Sequence, residues 1–198
     1  IFPVEIRDRK GNVTIFETDE TARRDPTLEA LSGLRPAFVK DGKVTAGNAP
    51  GLTDGAAAVV VASREYAEKN DLKPLARIVG YNQAAVQPKY LFAAPAKAMP
   101  LLLEKVGWSF DDVDLIELNE AFAAQVLADG YALKGLGWDW QKVNVHGGAI
   151  ALGHPIGASG ARVLVTLIYA LKATGLKRGL ASLCLGGGEA VAMAVEVD

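Results

Sequence analysis

Apolar positions along the 198-residue chain fall into short blocks whose period switches repeatedly between helical and strand-like. Residues 56–62, a run of alanine and valine, predict a buried strand, with a helix starting at Asp54 as the alternative. Residues 64–70 read as helix and residues 75–85 as strand. Residues 95–106 have helical spacing, with Leu101, Leu102, Leu103 and Val106 mostly along one face. A turn at residues 108–112 precedes a strand over 113–118. That strand runs straight into a helix beginning at Asn119 and ending near Leu133. Residues 143–145 form a short strand before a glycine-rich loop, and residues 158–173 a long apolar helix. Residues 179–185 and 190–197 read as two strands joined at Gly186-Gly187-Gly188, a hairpin of adjacent core strands. The first fifty residues are more polar and less periodic. They hold a helix-like run from Arg23 to Leu34 and a tight turn at Lys40-Asp41-Gly42-Lys43. Alternation of strand and helix argues for a layered α/β fold, and such folds place their chemistry at strand ends.

Composition changes this picture little. Half the residues are hydrophobic, 22% are charged and the formal net charge is −2, so no nucleic-acid surface is expected. No apolar run reaches the roughly 18 residues of a membrane span. The opening Ile1-Phe2-Pro3-Val4-Glu5-Ile6 lacks the basic region of a signal peptide and reads like a strand entered midway, as in a fragment. A lone cysteine, Cys184, excludes an intrachain disulfide and suits a reducing, cytoplasmic setting.

Three strand ends carry candidate chemistry. Asn119, in Leu118-Asn119-Glu120-Ala121-Phe122-Ala123, is either a helix N-cap or a side chain holding a water or substrate oxygen at the mouth of the sheet. From Gly147 to Gly160 there are five glycines in fourteen residues, around His154-Pro155. Such backbone is unusual or closely approached, and the proline restricts His154 to extended conformations. Gly148 to Gly153 has the glycine spacing of a phosphate loop, but His154-Pro155 stands where the required Lys-Ser/Thr belongs, so that reading fails. Cys184 precedes three glycines, where backbone amides can be aimed at a ligand; alternatively it is a buried strand residue beside a plain turn. Together, Asn119, His154 and Cys184 supply an amide, an imidazole and a thiol, the components of acyl transfer. By residue chemistry alone, Cys184 is the nucleophile and His154 its base.

Asn119-Glu120-Ala121-Phe122-Ala123, the run Gly147-Gly148-Ala149-Ile150-Ala151-Leu152-Gly153-His154-Pro155-Ile156-Gly157-Ala158-Ser159-Gly160, and Cys184-Leu185-Gly186-Gly187-Gly188 resemble the three C-terminal motifs of thiolases. Gly47-Asn48-Ala49-Pro50-Gly51-Leu52-Thr53-Asp54-Gly55-Ala56-Ala57 resembles a fourth block of that family. The resemblance implies a thiolase-like α/β fold, with a central mixed sheet covered by helices. Residues 1–52 would end the N-terminal half and residues 53–198 form the C-terminal domain. It also reverses the role of the cysteine. In thiolases the acylated cysteine lies in the N-terminal half, and the cysteine at the position of Cys184 is the acid/base acting on the α-carbon of acetyl-CoA. His154 and a water held by Asn119 would form one oxyanion site. The Gly186 amide would serve a second.

The same resemblance places Arg23 near the nucleotide end of coenzyme A, and Ala46, Ala121 and Phe122 along the substrate. Pro50 stands where many relatives have a serine that contacts pantetheine, and Leu91-Phe92-Ala93-Ala94-Pro95 replaces a glycine-bearing loop beside the acyl pocket. His146 is expected to support its loop rather than to catalyse. The implied activity is condensation of two acetyl-CoA or cleavage of 3-ketoacyl-CoA by a homodimer or homotetramer. No cofactor is implied beyond the coenzyme A carried by the substrates, and no membrane or nucleic-acid partner. The alternatives are a non-catalytic acyl-CoA-binding relative and an expressed domain inactive by itself. A carrier-protein-dependent ketoacyl synthase fits less well, because the Asn119 block does not supply its first histidine.

Overall fold

The computed structural model describes residues 1–198. A hairpin of β1 (Val4–Arg7) and β2 (Val13–Phe16) opens the chain, followed by the single-turn helix α1 (Leu28–Ser32), capped by the Thr27 hydroxyl. The body comprises α2 (Arg64–Lys69), β3 (Arg77–Ala85), α3 (Pro95–Val106), β4 (Leu115–Leu118), α4 (Ala123–Leu133), α5 (Ala149–Leu152), α6 (Ser159–Thr174), β5 (Arg178–Leu185) and β6 (Glu189–Glu196). Four strands form one mixed sheet in the order β3-β6-β5-β4, in which β4 and β5 are parallel and the other neighbours antiparallel.

Alternating residues of the strands feed two cores. Leu180 on β5 packs into the core on the α3 side, with Met99, Leu102, Val126 and Leu133. Its neighbour Ala181 packs into the core on the α6 side, with Val163, Leu167 and Leu171. The sheet is therefore the middle of three layers, and β4, covered on both faces, is buried at every position. Because α6 feeds directly into β5, the start of α6 lies at the C-terminal end of β5. Glycine-rich loop and strand ends are thereby stacked at one edge.

Several expected elements differ. The helix after β4 starts at Ala123, not at Asn119, leaving residues 119–122 as an irregular link. Leu101 faces solvent; Ala98 and Met99 join Leu102 and Leu103 on the buried side of α3. Residues 143–145 contribute only one parallel bridge, Ile116 to Val143. Residues 56–62 form neither strand nor helix, and Val60 is 98% exposed. Strand propensity is realised only against a partner ladder, and none runs beside this segment.

Candidate functional site

The end of β4 is held by side chains as much as by backbone. The Asn119 N–H donates to the Ser182 carbonyl (2.9 Å), extending the parallel ladder one residue past the strand. Asn144, 26 residues downstream, accepts from the Leu118 N–H (2.9 Å) and donates from Nδ2 to the Leu118 carbonyl (2.8 Å), standing in for a neighbouring strand. Asn119 is thus buried and fixed, yet it caps no helix: the N-cap of α4 is Phe122, with no side-chain cap. Its carboxamide Nδ2 instead lies 3.3 Å from Nε2 of His154, and its Oδ1 accepts from Arg162 Nη2 at 3.3 Å.

His154 is set by its loop. Nδ1 lies 2.6 Å from Ser159 Oγ, and that hydroxyl donates to the Pro155 carbonyl at 3.0 Å. Gly153 takes a positive φ of 95°, and a Cβ there would collide with Thr53, so only glycine lets this loop close against the segment before residue 56. Between residues 52–55 and 154–157 lies a cleft of about 510 Å³. Burial, and next the Arg162 charge, lower the His154 pKa, favouring neutral imidazole. Glu120 ties the two loops together, accepting from the Ile150 N–H (2.9 Å) and from Asn144 Nδ2 (3.4 Å).

Cys184 sits at the same edge, near the C-terminal end of β5 and opposite Ala190 on β6. It is half-buried and free. Burial pushes its thiol pKa up, and Asp129 adds to that rise. The exposed Gly186 begins the turn that follows. Gly188, at φ 97°, accepts from the Val86 N–H (2.8 Å) and leaves no room for a Cβ beside the Val86 carbonyl. That contact pins the Cys184 turn to the segment leading into the Phe92 loop. Phe92 meets Phe122 edge to face at 5.2 Å, and Phe38 approaches Phe122 from another side at 6.2 Å.

The remaining expected positions are less uniform. Ala121 is buried, its N–H donating to Gln125 Oε1 (3.1 Å). Ala46 is exposed in a turn tied to the start of α4 by a bond from the Ala123 N–H to the Asn48 carbonyl (3.0 Å). Arg23 is exposed between β2 and α1. The geometry thus brings Asn119 and His154 into contact and Cys184 to their edge of the sheet.

Sequence reasoning missed four polar residues here: Glu117, Asp129, Ser159 and Arg162. The available signal was a carboxylate, Glu117, inside an otherwise apolar strand. It is 2% exposed, 3.7 Å from Arg162 Nη1, and burial raises its pKa to about 7 against the opposing Arg162 charge. Asp129 is fully buried on α4 and is also raised to about 7 by burial, although Gln125 Nε2 donates to its Oδ2 at 2.6 Å.

Comparison with known proteins agrees with this architecture. The thiolase C-terminal domain model matches residues 72–197, and the thiolase N-terminal domain model matches residues 1–65. Acetyl-CoA acetyltransferase of Allochromatium vinosum is 54% identical over 196 residues, covering 99% of this chain and 49% of that protein. Its namesake from Cupriavidus necator is 55% identical at the same coverage. Among solved structures, Bacillus anthracis acetyl-CoA acetyltransferase superposes with a TM-score of 0.92 at 53% identity, over 100% of this chain and 49% of the other. Human mitochondrial 3-ketoacyl-CoA thiolase in complex with CoA gives 0.88 at 44% identity, over 98% and 48%. The chain spans about half the length of the curated relatives it matches. Domain matches over most of its residues, on a mixed sheet with these motifs at one edge, make the chain a member of the thiolase family.

Proposed function

We propose that the chain forms half of the active site of a thiolase that condenses two acetyl-CoA or cleaves 3-ketoacyl-CoA with coenzyme A. The observation carrying this reading is the Asn119–His154 contact at the edge of the sheet where Cys184 also lies. The chain's one cysteine performs proton transfer, and the acylated cysteine belongs to residues outside the 198 described here. In condensation, Cys184 gives its proton to the coenzyme A thiolate expelled by the first acetyl transfer. Its thiolate then takes an α-proton from the second acetyl-CoA, and the resulting enolate carbon attacks the acyl-enzyme carbonyl. The tetrahedral intermediate then collapses and expels the nucleophile's sulfur. Burial suits Cys184 to this role, because raising the thiol pKa makes its thiolate a stronger base. His154 and a water held by Asn119 stabilise the enolate oxygen. The Gly186 amide contributes to the hole for the tetrahedral oxyanion, where one donor is typically worth ~3 kcal/mol.

The test is Cys184→Ser in the longer polypeptide. Acetoacetyl-CoA formation should disappear while radiolabelled acetyl-CoA still acylates the enzyme. Condensation at the unmodified rate would remove Cys184 from proton transfer, and acyl-CoA binding without acylation in the unsubstituted protein would favour a non-catalytic binder.

A further inference from the structure

We propose that Arg162, backed by Glu117, is a positioning residue that fixes which end of the Asn119 carboxamide faces His154, and through it the tautomer of that imidazole. The two ends of a carboxamide are nearly identical in shape, so its orientation is decided by hydrogen-bond partners. A guanidinium has donors only. Arg162 Nη2, 3.3 Å from the carboxamide, therefore demands the oxygen on its side and turns the NH2 toward His154. That NH2 is also donor-only, so Nε2 of His154, 3.3 Å away, must present its lone pair.

The far side of the ring accommodates the same tautomer without dictating it, because a hydroxyl can either donate or accept. With Ser159 Oγ donating to the Pro155 carbonyl at 3.0 Å, it accepts from Nδ1 at 2.6 Å; in the other tautomer the hydroxyl would turn its proton toward Nδ1. The Asn119 NH2 therefore sets the ring as the Nδ1–H form, and Ser159 follows. The Nε2 lone pair, engaged by the Asn119 NH2, is the atom that takes up a proton when the imidazole is called on to donate to an oxyanion.

Arg162 is built for this contact rather than for a strong ion pair. It stands in the first turn of α6, and its Nε and Nη1 are buried without hydrogen-bond partners. Its Nη1 approaches the Glu117 carboxylate only to 3.7 Å. Its hydrogen bond to Asn119 Oδ1 thus accounts for the direction of the group, with the Glu117 carboxyl packed behind it.

The inference rests on the proposed function only for its kinetic consequence, so the primary test does not use activity. The chain has two histidines, which makes a long-range proton–nitrogen correlation spectrum assignable ring by ring. Near neutral pH, His154 of the unsubstituted chain should show the Nδ1–H tautomer. R162M should shift it to a mixture, and R162K, which keeps a donor, should restore it. An Nε2–H tautomer in the unsubstituted chain overturns the proposal, and so does an unchanged tautomer in folded R162M. If R162M fails to fold, the unsubstituted spectrum and R162K decide. In the longer enzyme, R162M should lower kcat by about tenfold or more with little change in KM, the split expected of lost orientation rather than lost binding. A changed tautomer without any turnover in the unsubstituted enzyme would sink the functional reading and leave the positioning role standing.

Discussion

Asn119 and His154 lie 35 positions apart in the chain, yet the carboxamide nitrogen of one stands 3.3 Å from Nε2 of the other. The contact exists because the parallel ladder to β5 and the Asn144 bridge hold Asn119 one step beyond β4, while the start of α6 returns to the same edge. Replacing Asn119 with Ala should leave that backbone ladder intact and remove the amide. In the longer enzyme the expected result is a fall in kcat of about a hundredfold or more, the loss typical of an oxyanion-site donor. Thiolysis of acetoacetyl-CoA measures it. A fall below about threefold would place Asn119 outside the oxyanion site.

Phe92 meets Phe122 edge to face beside the turn that follows Cys184, so its ring occupies space at the mouth of the proposed acyl site. Phe92→Gly should raise the rate with a long-chain 3-ketoacyl-CoA relative to acetoacetyl-CoA by about tenfold, since each methylene accommodated is worth ~1–3 kcal/mol. An unchanged ratio would mean that the ring does not bound the acyl chain.

Buried Asp129 gives a stability prediction whose sign is fixed. Its folded pKa of about 7 lies above the ordinary 3.8, so between these values the folded state binds more protons than the unfolded chain. Stability therefore falls as pH rises through that window and levels off above it. Asp129→Asn removes the ionisation. It should stabilise the chain by on the order of 1–3 kcal/mol at about pH 8, with the difference shrinking toward zero below about pH 4. Urea unfolding at the two pH values checks this; a constant difference would refute the linkage.

Because Cys184 is the chain's one thiol, alkylation reports on it cleanly. Burial first and Asp129 second hold the thiol above its ordinary pKa, so the midpoint of the iodoacetamide rate against pH should lie above that of a free thiol. Asp129→Asn should bring the midpoint down by removing the nearby negative charge. A midpoint at or below that of a free thiol would contradict the environment described for Cys184.

Local pattern and chemistry carried a long way here. The period of the apolar residues located α3 and the β5–β6 hairpin, and glycines around one histidine and one cysteine marked the loops that the fold stacks together. What local pattern could not supply was partnership. Residues 56–62 are as strand-like as β3, but one finds a neighbour in β6 and the other finds none. Asn119 looks like an N-cap because Asn before a helix usually is; here the link to Ala123 leaves its side chain free for His154. Arg162 and Glu117 belong to different elements, and nothing in their spacing declares that they meet behind Asn119.

By itself the sequence determined the α/β alternation, the three chemical segments and the thiolase resemblance, because these depend on short-range periodicity and residue identity. Only the tertiary structure decided that Asn119 faces His154, that Arg162 donates to its carboxamide and that Asp129 is buried near Cys184. Those are distances between elements remote in the chain, set by how two helical layers close over one sheet.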